Sequence, residues 1–117
     1  MMEGRKVSSV ENRTSATKIT LYTVPSKHHA RWEVLYIISL ASNDSPSVYW
    51  YDASSTTEYQ IFGGKNLGVG EYVLLSNAEV CLEEGDEVRI KNSTTNSVTY
   101  ICTFEVKQNP ATQRYNG

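Results

Sequence analysis

Histidines, carboxylates, cysteines and clustered aromatics are the residues that could do chemistry in this chain, and none of these sets converges. His28 and His29 are adjacent. Neighbours on a strand point to opposite faces, so the pair cannot meet at one metal ion without a bend. Neither follows a cysteine or carboxylate at ligand spacing, which reads as a solvated loop end. Glu83, Glu84, Asp86 and Glu87 crowd around Gly85. A calcium site needs about 6–8 oxygens converging at roughly 2.3–2.6 Å, more than so tight a turn supplies. The expected structure is a corner with Gly85 at positive φ and carboxylates in water. Paired acids for glycoside hydrolysis would have to flank a cleft, and nothing in the spacing argues for one.

Gly63-Gly64-Lys65-Asn66-Leu67-Gly68-Val69-Gly70 is the richest glycine stretch. Its spacing fails the nucleotide-loop pattern, and no helix follows to offer its N-terminus to phosphate. It reads as a passage between sheets, with glycines taking positive φ. Cys81 and Cys102 fall on opposite faces of their strands and read as two free thiols. Trp50 with Tyr49, Tyr51 and Tyr59 offers an aromatic platform for sugar, but Tyr49 and Tyr51 share the face opposite Trp50. At least one aromatic set therefore faces outward or is covered by a neighbour. With no Ser-His-Asp or Cys-His arrangement, the chain reads as a non-enzyme with no cofactor and no metal.

The elements that position these residues are strands throughout. Between Glu79 and Val106 apolar residues alternate: Val80 and Leu82, then Val88 and Ile90, then Val98, Tyr100, Cys102, Phe104 and Val106. That is the period of a strand with one buried face. Earlier strands are expected over Thr17–Thr23, ending at Val24-Pro25, and over His29–Ala41. Two more, Ser47–Asp52 and Glu58–Phe62, form a hairpin, and a further one covers Glu71–Ser76. In the long second strand the even positions Trp32, Val34, Tyr36, Ile38 and Leu40 form a continuous apolar face. Its odd positions change from polar (Arg31, Glu33) to apolar (Leu35, Ile37), and at this length a bend or bulge is expected. About eight strands and no helix predict a single-domain, all-β, antiparallel two-sheet sandwich, jelly-roll-like. The domain spans 17–106, between a polar N-terminal arm (1–16) and a polar C-terminal tail (107–117).

Totals agree. The chain has 117 residues, one domain's worth, and eight tyrosines favour sheet. A formal net charge of −2 without a basic stripe excludes tight nucleic-acid backbone binding. No apolar run approaches the ~18 residues that cross a bilayer, and the N-terminus lacks the apolar stretch of a signal peptide, so synthesis in a cytoplasm is expected.

Three stretches together resemble small β-sandwich structural proteins of tailed-bacteriophage virions. They are Leu21-Tyr22-Thr23-Val24-Pro25-Ser26-Lys27-His28-His29-Ala30, Ser47-Val48-Tyr49-Trp50-Tyr51-Asp52, and Val80-Cys81-Leu82-Glu83-Glu84-Gly85-Asp86-Glu87-Val88-Arg89-Ile90. Those proteins share a Thr-Val-Pro corner and a Leu-x-x-Gly-Asp corner, although Lys27 and His28 stand where such corners often carry glycine and a small residue. The resemblance covers about residues 17–106. It implies a non-enzymatic virion component, a capsid cement (decoration) or tail accessory protein. By analogy it is a homo-oligomer, with a trimer favoured, and it binds other virion proteins. A second expectation is a carbohydrate- or receptor-binding module at a fibre or tail tip. Leu35, Ile37, Tyr49, Tyr51 and Phe62 are the candidate interface, expected on an outer face covered by a neighbouring subunit.

Overall fold

The structure, a computed structural model, describes residues 4–110, apart from the side chains of residues 77–79. Eight strands run through it: β1 Arg5–Arg13, β2 Ile19–Thr23, β3 His28–Ser39, β4 Ser47–Asp52, β5 Thr57–Phe62, β6 Tyr72–Leu82, β7 Glu87–Lys91 and β8 Val98–Gln108. They form two four-stranded antiparallel sheets, ordered β1-β8-β3-β6 and β2-β7-β4-β5. Only β4 and β5 are a hairpin; every other connection crosses from one sheet to the other. This is the winding of a jelly roll.

The core forms because alternation on the central strands meets across the sandwich. On β8, Val98, Tyr100, Cys102, Phe104 and Val106 are all buried. From the second sheet Val48, Val88 and Ile90 close on them. Tyr22 stacks on Phe104 with ring centroids 4.3 Å apart, joining the two layers. Burying each large apolar side chain contributes about 1.5–3 kcal/mol of transfer free energy.

The structure differs from the sequence expectation in four places. Residues expected in a polar arm form β1, paired with β8 from Arg5↔Val106 to Arg13↔Val98. Its period is masked because it is an edge strand whose rim-facing positions include Glu11 and Arg13 and whose outward positions include Val10. The strand expected over Glu71–Ser76 and the short one at Val80–Leu82 are one element, β6, with a register shift between its two halves. The C-terminal tail expected from residue 107 starts later, since β8 continues to Gln108; residues 111–117 lie outside those described, as do 1–3.

The fourth difference matters most. Glu33 is a bulge: Trp32 pairs with Phe104 and Val34 with Thr103, leaving Glu33 without an opposite residue on β8. One extra residue exchanges the two faces of everything after it. Even positions therefore point inward up to Trp32, and odd positions, Leu35, Ile37 and Ser39, point inward after it. A second irregularity on β2, between Thr20 and Tyr22, brings Tyr22 into the core beside Leu21 and Ile19.

Each end of the sandwich is tied by a buried aspartate. At one end Asp44 accepts hydrogen bonds from the backbone N–H groups of Ser93 (3.2 Å) and Thr94 (2.8 Å) and from both hydroxyls. Asp86 does the corresponding work at the other end.

Candidate functional site

Val24 and Pro25 end β2, and Glu83-Glu84-Gly85-Asp86 links β6 to β7 between the sheets. These two corners are one structure. Val24 N–H donates to the Asp86 carbonyl at 2.9 Å, and Gly85 N–H donates to the Val24 carbonyl at 3.0 Å. Gly85 has φ +85°, the conformation for which glycine is needed. The Asp86 carboxylate accepts from Trp50 Nε1 (3.1 Å), Ala53 N–H (3.0 Å) and Glu83 N–H (2.9 Å). All three stretches that carry the virion-protein resemblance thus converge on Asp86, which is 1% exposed. The acidic turn was expected to hold its carboxylates in water. Glu83 and Glu84 are exposed, but Asp86 is the internal fastening of the corner.

The candidate interface residues do not share a surface. Leu35 and Ile37 are core residues, turned inward by the Glu33 bulge and paired with Cys102 and Tyr100 on β8. Phe62 packs inward beside Val48. Tyr49 and Tyr51 do face outward, on the second sheet, and each is capped by a cation. Lys18 Nζ lies 4.0 Å from the Tyr49 ring centroid, and the Arg89 guanidinium 3.9 Å from that of Tyr51. Both cations also pair with Glu58, at 2.6 Å and 3.1 Å. The hydrogen bond from Lys18, helped by Arg89, holds the Glu58 carboxyl below the usual carboxylate range. A face tiled with paired charges suits water.

The aromatic group is divided in the same way. Trp50 packs against the core with its indole N–H committed to Asp86, and Tyr59, on the edge strand β5 and 47% exposed, lies beside it with ring centroids 5.6 Å apart. The two rings are tilted by 36° and do not form a flat platform.

The outer face of the first sheet is different. The register sets Val10, Ile101, Tyr36 and Leu74 in one row across β1, β8, β3 and β6. Beside it runs the row Asn12, Thr99, Ile38 and Tyr72, with Tyr36 and Tyr72 ring centroids 5.6 Å apart. Val10 is 59% exposed, Tyr72 60% and Leu74 55%, and Leu40, just past β3, is also exposed. Towards the start of β3, before the bulge, the same face becomes charged, in the row Lys6, Glu105, Arg31 and Cys81. Arg31 pairs with Glu105 at 2.6 Å and with Glu33 at 2.9 Å, and Lys6 also bonds Glu33. The Lys6 and Arg31 hydrogen bonds hold the Glu33 carboxyl low. The β1 and β6 members of this band, Val10, Tyr72 and Leu74, escaped the sequence reading. The bulge and the unrecognised edge strand hid them.

At that charged end a depression of about 670 Å³ is lined by residues including His29, Arg31, Cys81, Glu84, Glu105 and Lys107. His28 and His29 are held apart: His28 Nδ1 meets the Ser26 carbonyl at 2.8 Å, and His29 Nδ1 meets Asn109 Oδ1 at 2.7 Å. Among the described residues no group of three or more histidines, cysteines or carboxylates is placed to hold a metal ion. The two thiols are free, Cys81 exposed and Cys102 buried. Burial pushes the Cys102 thiol up to about 12.

No protein-family model matches the chain, and no curated protein sequence matches it. Solved structures do. A chain from the disulfide-linked pili of Bacillus endospore appendages superposes with a TM-score of 0.56 and 14% identity, covering 92% of this chain and 88% of that one. What is shared is the fold. The nucleoplasmin-like N-terminal domain of Drosophila FKBP39 aligns with a TM-score of 0.47 and 14% identity, over 86% of this chain and 89% of its own. The CBM22-1 xylan-binding domain of Paenibacillus barcinonensis Xyn10C gives 0.45 and 12% over 94% and 87%.

Proposed function

We propose that the protein is a non-enzymatic structural subunit of a bacteriophage virion, a capsid cement or tail accessory protein that assembles with copies of itself and with other virion proteins. The virion assignment draws on the three resembling stretches, which meet at the Asp86 corner. The assembly assignment is carried by one observation, the exposed apolar band on the outer face of the β1-β8-β3-β6 sheet. Soluble monomers rarely expose contiguous apolar patches of more than a few hundred Å², and such patches mark interaction sites. No comparable observation favours the sugar-binding alternative, because Trp50 is held inward and Tyr49 and Tyr51 are capped by cations.

The test is the protein's place in a particle. Purified virions analysed by quantitative mass spectrometry and immunogold labelling should contain this chain at a fixed copy number and at one location. Particles that lack it, from lysates in which it is abundant, would remove the virion assignment.

A further inference from the structure

We propose that the outer face of the β1-β8-β3-β6 sheet packs on the same face of a second copy of this chain, about a twofold axis running parallel to the strands between β8 and β3. This deepens the assembly reading by naming the partner of that surface.

Such an axis exchanges left and right across the sheet while keeping strand direction. It lays β8 of one copy over β3 of the other, and β1 over β6. In the apolar row, Ile101 then meets Tyr36 of the second copy, and Val10 meets its Leu74. In the charged row the same operation sets Glu105 against Arg31 of the second copy, and Arg31 against its Glu105. The apolar row meets itself and opposite charges coincide, while in the neighbouring row Thr99 meets Ile38 and Asn12 meets Tyr72 of the second copy. An axis across the strands would instead reverse strand direction and could bring the charged end of one face over the apolar end of the other. A patch that complements itself in this way is what an isologous twofold contact requires.

Shape and size agree. A sheet face is covered by another sheet about 10 Å away, with strands aligned to within roughly 30°. Four strands at a spacing of about 4.8 Å, along the length of β3 at about 3.3 Å per residue, give a flat outline of roughly 700 Å². Side-chain relief adds to it, and stable interfaces bury about 800 Å² per partner. The second sheet's outer face offers no equivalent apolar row, since Lys18 and Arg89 lie over the Tyr49 and Tyr51 rings there.

Sedimentation equilibrium on the full chain tests this. The wild type should be a dimer. Leu74→Arg and Val10→Lys, on opposite edges of the face and both largely exposed, should each weaken the dimer at least about tenfold while melting within a few degrees of the wild type. Arg31→Glu and Glu105→Arg should each weaken it too, and combining them should restore it. A wild-type monomer overturns the proposal, as does a dimer indifferent to both Leu74→Arg and Val10→Lys. A trimer overturns the twofold proposal but leaves self-assembly standing. Absence from virions with an intact dimer removes the virion reading and leaves the interface.

Discussion

Replacing Asp86 by alanine should be strongly destabilising. The side chain is buried and accepts three hydrogen bonds, from the Trp50 indole and from the backbone of Ala53 and Glu83. Alanine leaves all three donors facing an apolar gap. A buried donor stripped of its acceptor costs about 1–3 kcal/mol, and partial hydration at the corner lowers the sum to roughly 3–5 kcal/mol. That is a large share of a stability of about 5–15 kcal/mol. For a domain of this size about 1 kcal/mol moves the melting temperature by roughly 4 °C, so the expected drop is about 10–20 °C. Asp86→Asn keeps one acceptor oxygen but turns an amide NH2 towards donors, and should fall between alanine and wild type. Trp50→Phe removes one donor, and a double-mutant cycle with Asp86→Ala should show a coupling of about 1–2 kcal/mol by urea denaturation. An Asp86→Ala protein melting within about 3 °C of wild type, or an additive cycle, would falsify the claim that this carboxylate fastens the corner.

Three further outcomes follow from the same structure. In the native protein Cys102 should resist a thiol reagent until denaturant is added, because burial raises its thiol to about 12 and shields it; modification as fast in the native as in the denatured protein would contradict the β8 packing. Leu35→Ala should cost about 2–5 kcal/mol as a core truncation, whereas Tyr51→Ala, on the cation-capped outer face, should cost no more than about 1 kcal/mol; the reverse order in denaturant melts would refute the face exchange at Glu33. Glu33, Asp52 and Glu58 have carboxyls held below their ordinary values by hydrogen bonds from Lys6 and Arg31, from Ser54 and Ser55, and from Lys18 and Arg89. The unfolded chain then binds more protons in acid, so stability present above about pH 4.5 should decline as pH falls through the folded values. A melting temperature flat from neutral pH to strong acid would contradict it.

The sequence made the central strands readable and the edges obscure, for a physical reason. β8 and β7 are covered on their inner side along their whole length, so Val98 to Val106 and Val88 to Ile90 alternate without error. The glycine passage from β5 to β6, with Gly64 and Gly70 at positive φ, was equally clear. β1 was not, because an edge strand at the rim can carry Glu11 and Arg13 on its inner side and Val10 on its outer side. The expected bend in β3 is real, but periodicity cannot say where an extra residue sits. Placing it nowhere sent Leu35 and Ile37 to the wrong face. The candidate surface followed that error: of five residues only Tyr49 and Tyr51 face outward. Tyr36, Ile38, Leu74 and Ile101 become a surface only once the bulge at Glu33 and the partnership of β1 with β8 are known.

The strand order also sets a timetable. β8 sits between β1 and β3, yet it leaves the ribosome after every other strand described. Until it arrives, β1 has no neighbour in its own sheet, and the inner face of β3 lacks Phe104 and Tyr100. The β4–β5 hairpin is the one local pairing among the described strands; the others join parts of the chain farther apart. Such topologies fold slowly, and their unfinished edges are open to other chains while they wait. A nascent copy halted before Val98 would therefore leave the core side of β3, Trp32, Leu35 and Ile37, without its β8 neighbours. Arrival of β8 between β1 and β3, more than any single contact, is the event that lets this sandwich shut.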